Sequence, residues 1–283
     1  MLRTVGNVVR RQNLASLTRI TRSLAHVAQD VPASTSSGKE NVAIIGSKPR
    51  SLGLDSSSPL RVSDPPPNGL SGVALKLLGF YSRESQLIRG TKTLYARISS
   101  HADTPELYAD FGLQKSFRTT HAVLLVHVWL TLVRLRAEGK DGAKVAQSLY
   151  ELFNHDLEKR IVGEGVKMLI SKWMKQLERN FYGAVEAYDA AMQPSADKDA
   201  LARALWRNVF AEDDSPMPTG VEAAPVKSFA RYVRREAACL ALTDSESLLT
   251  GNIQFSPDFG APSSTSAADS ASSEQGFSEP IPA

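Results

Sequence analysis

Two histidines lie in the most apolar stretch of the chain, HAVLLVHVWLTLVRL, which covers residues 121–135. Imidazole side chains can bind metals or act as general bases. His121 and His127 are six residues apart, which separates them by about 600° around a helix axis and places them on different faces. For His127 we favour another interpretation, a histidine at the edge of the core that hydrogen-bonds to a neighbouring helix.

No other catalytic or metal-binding pattern is found in the sequence. HExxH, GxxxxGK[ST], GxGxxG and GxSxG motifs are all absent. ELFNH places His155 four residues after Glu151, whereas a di-iron bundle needs two copies of Glu-x-x-His. Cys239 is the single cysteine and can form neither an internal disulfide nor a cysteine zinc cluster. We therefore predict no catalytic residue, no metal and no cofactor.

Residues 71–245 show the apolar spacing of helices, and no segment alternates as a strand does. A helix is predicted to start at Pro105, and a long helix is predicted from about 116 to 137, with Gly139 ending it and Asp141 capping the next. Two more apolar rows have helical spacing: Leu149, Leu152, Phe153, Leu157 and Ile161, then Leu169, Trp173, Leu177, Phe181, Ala184 and Tyr188. The predicted fold class is all-α, an irregular bundle of about six to eight helices with disordered N- and C-terminal extensions.

The apolar run within the long helix extends from Ala122 to Val133, which is 12 residues, and His127 interrupts it. A membrane-spanning helix needs about 20 apolar residues. The run therefore predicts a helix buried in the middle of the bundle, no transmembrane span, and only peripheral contact with any membrane.

Residues 1–29 contain five arginines and no acid, with leucines and an isoleucine at helical spacing. This pattern is typical of a transit peptide, and the dominance of arginine favours the mitochondrion over the plastid. A basic amphipathic helix on a membrane surface or nucleic acid is the alternative.

The segments on either side of the helical region have the composition of linkers and tails. Residues 30–70 are predicted to be a Ser/Pro-rich linker, and residues 246–283 a disordered, acidic, Ser-rich tail that is dispensable for folding from about residue 251 onward. The chain has 33 Lys+Arg and 30 Asp+Glu, and residues 30–235 hold 28 and 23 of them. This middle is compatible with an anionic partner without requiring one.

A longer stretch, HVWLTLVRLRAEGKDG through LERNFYGAVEAYDAAM, carries a family resemblance. Its elements are HVWL..VRL, the glycine turn EGKDG, Q.L...F..DLEKRI.GEGV and W.KQL...F.GAVEAY. The stretch resembles the ubiquinol–cytochrome c reductase complex chaperone family, over about residues 80–210. The resemblance consists of many weak matches in the right order, not of one diagnostic motif.

The resemblance implies a non-catalytic assembly factor for respiratory complex III in mitochondria. Members of the family act with a small partner assembly factor at the mitochondrial ribosome and bind newly made cytochrome b. The separate prediction of a transit peptide agrees with the mitochondrial role. Because such a client is hydrophobic and no span is predicted in this chain, we predict peripheral attachment to the matrix face of the inner membrane through basic residues and partner contacts.

Two groups of polar residues are candidates for function. Lys172, Lys175 and Arg179 share one helix face, which is predicted to contact RNA or anionic lipid or is simply a solvated face. Arg231, Arg234 and Arg235 form a second basic candidate. Arg134, Asp156 and Arg160 are predicted to form a buried interhelix polar set, in which Asp156→Ala would cost several kcal/mol.

Two other classes of protein stay open at this point. One is a structural subunit of a mitochondrial complex. The other is an all-α enzyme that acts on a hydrophobic, quinone-like substrate, which would need a closed apolar cavity with His121, His127 or Tyr95 pointing into it.

Overall fold

The computed structural model describes residues 48–63, 74–211 and 215–259. Within these ranges the fold is built from eight α-helices, and the β-structure there is one isolated bridge. The all-α prediction is therefore confirmed. The proposed transit peptide, residues 1–29, lies outside the described residues, as does the tail from residue 260 onward.

We number the helices in chain order. They are α1 (Arg83–Ala102), α2 (Pro105–Asp110), α3 (Phe117–Leu135), α4 (Gly139–Gly163), α5 (Ile170–Ala191), α6 (Ala200–Leu205), α7 (Ala224–Ala241) and α8 (Ser245–Leu249). A 3₁₀ turn (Arg136–Glu138) joins α3 to α4, a π-helical turn (Trp206–Phe210) follows α6, and a second 3₁₀ turn (Gly220–Ala223) precedes α7.

Helix α3 is the central element and packs against α1, α4 and α7. It starts with a capping box in which Ser116 and Thr119 each accept a hydrogen bond from the other's backbone N–H, close to the predicted start. The predicted stop at Gly139 has its physical basis in a φ of +57°. Asp141 does not cap α4, since it lies within the first turn and accepts a hydrogen bond from Arg83 at 2.8 Å.

In the described part of the chain, one helical run is long and apolar enough to cross a membrane. The helical run Phe117–Gly163 contains an 18-residue window with a mean hydropathy of 1.2. However, 67% of that window is buried inside the protein, as in a core helix of a bundle.

The two predicted apolar rows have different outcomes. Four members of the first row, Leu149, Phe153, Leu157 and Ile161, are buried on α4. In the second row, Phe181, Ala184 and Tyr188 are buried on α5, whereas Leu169 and Trp173 are 67% and 52% exposed. The second row is therefore covered by the bundle only in its C-terminal part, and α5 extends beyond the bundle at its N-terminal end.

The linker and tail predictions are both wrong in part. Residues 48–63 pack onto the bundle, with Leu52 buried and its backbone N–H donating to Thr243 Oγ1 at 2.9 Å. An antiparallel bridge pairs Gly53 with Ile253. The tail is helical in α8, and two of its aromatic residues, Phe255 and Phe259, are buried.

Two glycines bring backbones together where this C-terminal part meets α1. A Cβ on Gly90 would lie 2.0 Å from the carbonyl oxygen of Leu249, and a Cβ on Gly251 would lie 2.5 Å from the carbonyl oxygen of Gly90. Gly251 also has a φ of +73°. Neither position has room for a side chain, so α1 and the turn after α8 are in direct backbone contact.

Candidate interaction surface

The end of α4, the connection after it and the start of α5 project from the bundle, and we call residues 162–179 the α4–α5 tip. Gly165 closes the turn after α4 with a φ of +86°, and its N–H donates to the carbonyl of Val162 at 3.0 Å. Leu169 precedes α5 with a φ of +57°, the one non-glycine residue at positive φ in the described chain. That conformation costs about 1–2 kcal/mol for a residue with a Cβ, and such backbone strain tends to cluster at functional positions.

Large apolar side chains are exposed at the tip. Val162, Met168, Leu169 and Trp173 have exposed fractions of 45%, 79%, 67% and 52%. Single exposed apolar residues are ordinary on protein surfaces, but four within one short segment are typical of a binding surface.

Basic side chains lie beside these apolar ones. A cleft of about 630 Å³ at the tip is lined by Leu169, Ile170 and Ser171 together with four basic residues: Lys167, Lys172, Lys175 and Arg179. No carboxylate is among these lining residues. The three residues predicted as a basic face, Lys172, Lys175 and Arg179, are all exposed, and the structure brings them together on one side of α5. Whether they contact RNA or lipid stays a prediction.

The second basic candidate does not form one free surface. Arg231 and Arg234 are exposed, and Arg234 donates to Met192 Sδ at 3.7 Å. The side chain of Arg235 is only 10% exposed, pairs with Glu236 at 3.3 Å, and lies over the Tyr232 ring. Arg235 therefore contributes to packing inside the protein.

The predicted polar set of Arg134, Asp156 and Arg160 is wrong for Arg134. Asp156 accepts from Arg160 Nε at 2.7 Å and from the Tyr95 hydroxyl at 2.6 Å. Arg160 also makes a bidentate pair with Asp103, at 2.9 and 2.7 Å. Asp156 and Arg160 thus link α4 to Tyr95 on α1 and to Asp103, the residue that follows α1.

Arg134 points to a different part of the protein, because it lies on the face of α3 that meets the end of α7. It pairs with Glu138 and donates to the backbone carbonyls of Leu240 and Thr243, both at 2.9 Å. Its role is to hold the carbonyl end of α7 in place.

His127 is part of a buried hydrogen-bond chain with Tyr232 and His101. Its Nδ1 lies 2.8 Å from the carbonyl of Val123, which can only accept, so Nδ1 carries the proton. Burial lowers the pKa of His127 to about 4 and that of His101 to about 3, so both rings are neutral at pH 7. His127 Nε2 therefore accepts from the Tyr232 hydroxyl at 2.8 Å, and that hydroxyl accepts from His101 Nε2 at 2.7 Å.

These contacts agree with the interpretation of His127 as a histidine bonded to a neighbouring helix. His127 is fully buried and its two ring nitrogens both have partners within the protein. Tyr95, which donates to Asp156, is likewise occupied. Neither residue shows the arrangement that a quinone-binding cavity would need.

Two kinds of surface residue are not predicted from the sequence. The first kind is Met168, which lies next to Leu169 on the exposed tip. Both residues lie between Lys167 and Lys172, and these flanking lysines are the sequence signal that could have indicated an exposed position. Arg118 and Arg207 are far apart in sequence, and only the fold brings them into one cleft with His121. No sequence pattern predicts that grouping.

Comparison with known proteins extends the family resemblance. The family model described as Ubiquinol-cytochrome C chaperone matches residues 109–255, just over half of the 283 residues. The match continues past residue 210, where the resemblance read from the sequence ended, and includes α7 and α8.

Curated relatives carry related names. Ubiquinol-cytochrome c reductase complex assembly factor 1 of Mus musculus is 28% identical over 169 residues, which are 58% of this chain and 54% of the relative. Protein CBP3, mitochondrial, of Saccharomyces cerevisiae is 26% identical over 154 residues, which are 53% of this chain and 44% of the relative. The chain thus spans about half the length of these relatives.

A solved structure shares the fold. The crystal structure of the Cbp3 homolog from Brucella abortus superposes with a TM-score of 0.53 and 28% sequence identity, covering 65% of this chain and 96% of that one. Together with a family model that matches more than half of the residues, this shows that the chain belongs to the ubiquinol-cytochrome c chaperone family.

Proposed function

We propose that the chain is a non-catalytic assembly factor for respiratory complex III in mitochondria. The family match over residues 109–255 carries this proposal. The names of the mouse and yeast relatives, which specify complex assembly and the mitochondrion respectively, support it. The internal hydrogen bonds of His127 and Tyr95 support the non-catalytic part, because these are two of the three candidates for quinone chemistry. The third, His121, lines an open cleft between helices and not a closed apolar cavity.

The client in this proposal is newly made cytochrome b, met near the mitochondrial ribosome with the help of a small partner assembly factor. A client with hydrophobic helices needs an apolar contact surface, and the α4–α5 tip offers one in Met168, Leu169 and Trp173. The tip is the surface that we assign to the contact with client or partner.

The basic residues of the tip give the same surface an attraction to anionic surroundings. Lys172, Lys175 and Arg179 near an anionic membrane contribute about 1 kcal/mol each, and salt screens that attraction. We place the protein peripherally on the matrix face of the inner membrane, with the tip turned toward the membrane or the ribosome.

Affinity purification from mitochondria in mild detergent tests the assembly role. We expect the tagged protein to recover mitochondrial ribosomes and unassembled cytochrome b. Recovery with the mature complex at fixed stoichiometry would instead identify a structural subunit. Mass spectrometry of the same sample tests the transit peptide, since detection of Met1 or Leu2 on the mitochondrial protein would contradict its removal.

Charge reversal tests the basic part of the tip. The variant Lys172→Glu, Lys175→Glu, Arg179→Glu should keep its helix content and lose most of its membrane or ribosome association. A matched control reverses three exposed lysines elsewhere: Lys92, Lys140 and Lys144. Equal association of the two variants would show that the tip is only a solvated face.

Carbonate extraction tests peripheral attachment, and we expect the wild-type protein in the soluble fraction. Its retention in the pellet, with aggregation excluded, would contradict peripheral attachment.

A further inference from the structure

A second cleft, of about 410 Å³, lies between α3, α5 and the π-helical turn after α6. We call it the Arg118 cleft. Three arginines from these three elements line it, Arg118, Arg179 and Arg207, and they converge although they are distant in sequence. The other lining residues include His121, Tyr188, two asparagines and the small apolar side chains of Ala122 and Ala184. Its volume is within the range of sites for small organic ligands, about 300–1,000 Å³.

The charge of the cleft is unbalanced. No carboxylate is among its described lining residues. The partners of Arg118 are neutral, the backbone carbonyls of Val209 and Phe210 at 3.2 and 3.1 Å, and Arg179 donates to the amide oxygen of Gln176. In contrast, Arg160 on α4 pairs with two aspartates. Guanidinium groups gathered without a carboxylate favour an anion, and their fork of N–H donors suits phosphate oxygens.

Two buried polar atoms in the lining have no hydrogen-bond partner among the described residues. They are His121 Nε2 and the Tyr188 hydroxyl, and their residues are 7% and 0% exposed. Buried polar groups are normally paired, so each such atom calls for an explanation. A ligand that reaches the floor of the cleft would provide one.

We infer that the Arg118 cleft binds the phosphate group of a small organic phosphate, with Arg118, Arg179 and Arg207 holding its oxygens and Tyr188 and His121 completing the site. A phosphate carries about −1.5 to −2 charges at pH 7 and three acceptor oxygens, which matches three cations. The cleft has room for an organic part of the ligand beside Ala122 and Ala184. The inference does not rest on the proposed assembly role. Arg179 belongs to both surfaces, but Arg118, Arg207 and Tyr188 lie outside the α4–α5 tip.

Calorimetric titration of the full chain tests the site with two probes at constant ionic strength. Glycerol 3-phosphate represents a soluble ester, and phosphatidylcholine vesicles with and without phosphatidic acid represent a lipid headgroup. Saturable binding of either probe that Arg207→Gln weakens supports the site, and which one binds identifies the source of the phosphate. Vesicle binding that Arg207→Gln leaves unchanged belongs to the α4–α5 tip and counts against the site. If neither binds more tightly than chloride, the inference is overturned.

Variants locate the binding on the molecule. Arg207→Gln should weaken binding about tenfold, since it removes one charged hydrogen-bond partner. Arg203→Gln is the matched control, because Arg203 is exposed on the preceding helical turn, pairs with Asp197 at 2.7 Å and does not line the cleft. Equal weakening by both variants would overturn the inference, because binding would then follow net charge.

Tyr188→Phe separates binding from folding. The substitution removes an unpaired buried hydroxyl, so we expect the melting temperature without ligand to stay equal or to rise. Binding of the phosphate probe should weaken several-fold. Unchanged binding in Tyr188→Phe together with unchanged binding in Arg207→Gln would place the phosphate elsewhere and overturn the assignment.

Discussion

The C-terminal segment, residues 252–259, and the α4–α5 tip behave in opposite ways. The C-terminal segment NIQFSPDF has no helical period, yet Ile253, Phe255 and Phe259 are all buried. The tip has a clear helical period, yet Leu169 and Trp173 are exposed. Periodicity therefore tells which residues share a face of a helix, but not whether another part of the chain covers that face.

The reason for the difference is the presence or absence of a partner within the chain. The C-terminal segment lies against the histidines of the core, with the Phe255 ring 5.1 Å from that of His127 and 5.2 Å from that of His101. Its backbone is also fixed, since Ser256 N–H donates to the buried carboxylate of Glu236 at 3.3 Å. At the tip, α4 and α5 extend past the other helices, and this makes the tip suitable for an external partner.

The largest expected effect comes from removal of the C-terminal segment. A chain that ends at Gly251 loses three buried apolar side chains and leaves Glu236 without the Ser256 N–H. We expect a loss of more than about 5 kcal/mol, which is comparable to the whole stability of a typical domain. A chain that ends at Gly260 keeps all contacts described for the segment and is the comparison in thermal and urea unfolding. Equal melting temperatures would show that the segment is dispensable.

Single aromatic substitutions compare how much a side chain in each of the two regions contributes to stability. Phe255→Ala should destabilise by about 3–5 kcal/mol, because it opens a cavity in the core. Trp173→Ala removes a larger aromatic group from the tip and should change stability by about 0.5 kcal/mol or less. Urea unfolding measures both, and similar losses would mean that Trp173 is packed in solution.

The histidines next to the C-terminal segment predict a dependence of stability on pH. Their folded-state pKa values, about 3 for His101 and about 4 for His127, lie below the ordinary value of 6.5. From pH 6.5 down to 5 the unfolded chain takes up protons that the folded chain does not. Stability should therefore be complete above pH 6.5 and fall below it, by up to about 1.4 kcal/mol per pH unit for each histidine.

The variant His127→Gln tests how much of this pH dependence is due to His127. Its stability at pH 7 will differ from that of the wild type, so the slope is the quantity to compare. We expect the free energy of unfolding of the variant to change less steeply with pH between 6.5 and 5, because one of the two histidines no longer contributes. A slope identical to that of the wild type would mean that His127 is accessible to protons in the folded protein.

A modest effect is expected for the polar set of Asp156 and Arg160. Asp156→Ala should cost only about 1–2 kcal/mol, because Arg160 keeps its bidentate pair with Asp103 and its bond to Ser99. The loss of several kcal/mol predicted from the sequence requires that the arginine be left unpaired, whereas Asp103 still pairs with it. A double-mutant cycle with Asp103→Ala measures the coupling, and a loss above about 4 kcal/mol for Asp156→Ala alone would restore the earlier view.

Local signals predicted the helices well. Ser116, Pro105 and Gly139 mark helix boundaries through capping, fixed φ and positive φ, and these are properties of single residues and their neighbours. The all-α class follows from the same local spacing.

Long-range contacts could not be predicted, because they depend on residues that are distant in the sequence. Nothing near Arg134 in the sequence indicates that its guanidinium meets Leu240 and Thr243 on another element. The burial of Leu52 and Phe255 depends on segments of polar, Pro- and Ser-rich composition, which favours a prediction of disorder. The Arg118 cleft likewise combines three elements that the sequence keeps apart.

The backbone contact between Gly90 and Gly251 can form only late in the synthesis of the chain. The two residues are 161 positions apart, and synthesis at about 5–20 residues per second separates their appearance by roughly 8–30 s. During that interval α1 exists without the turn that later closes over it, and its row of Leu87, Leu94 and Ile98 lacks part of its cover. In a nascent chain of this topology, part of the apolar face of α1 therefore stays exposed until the C-terminal turn has been synthesised.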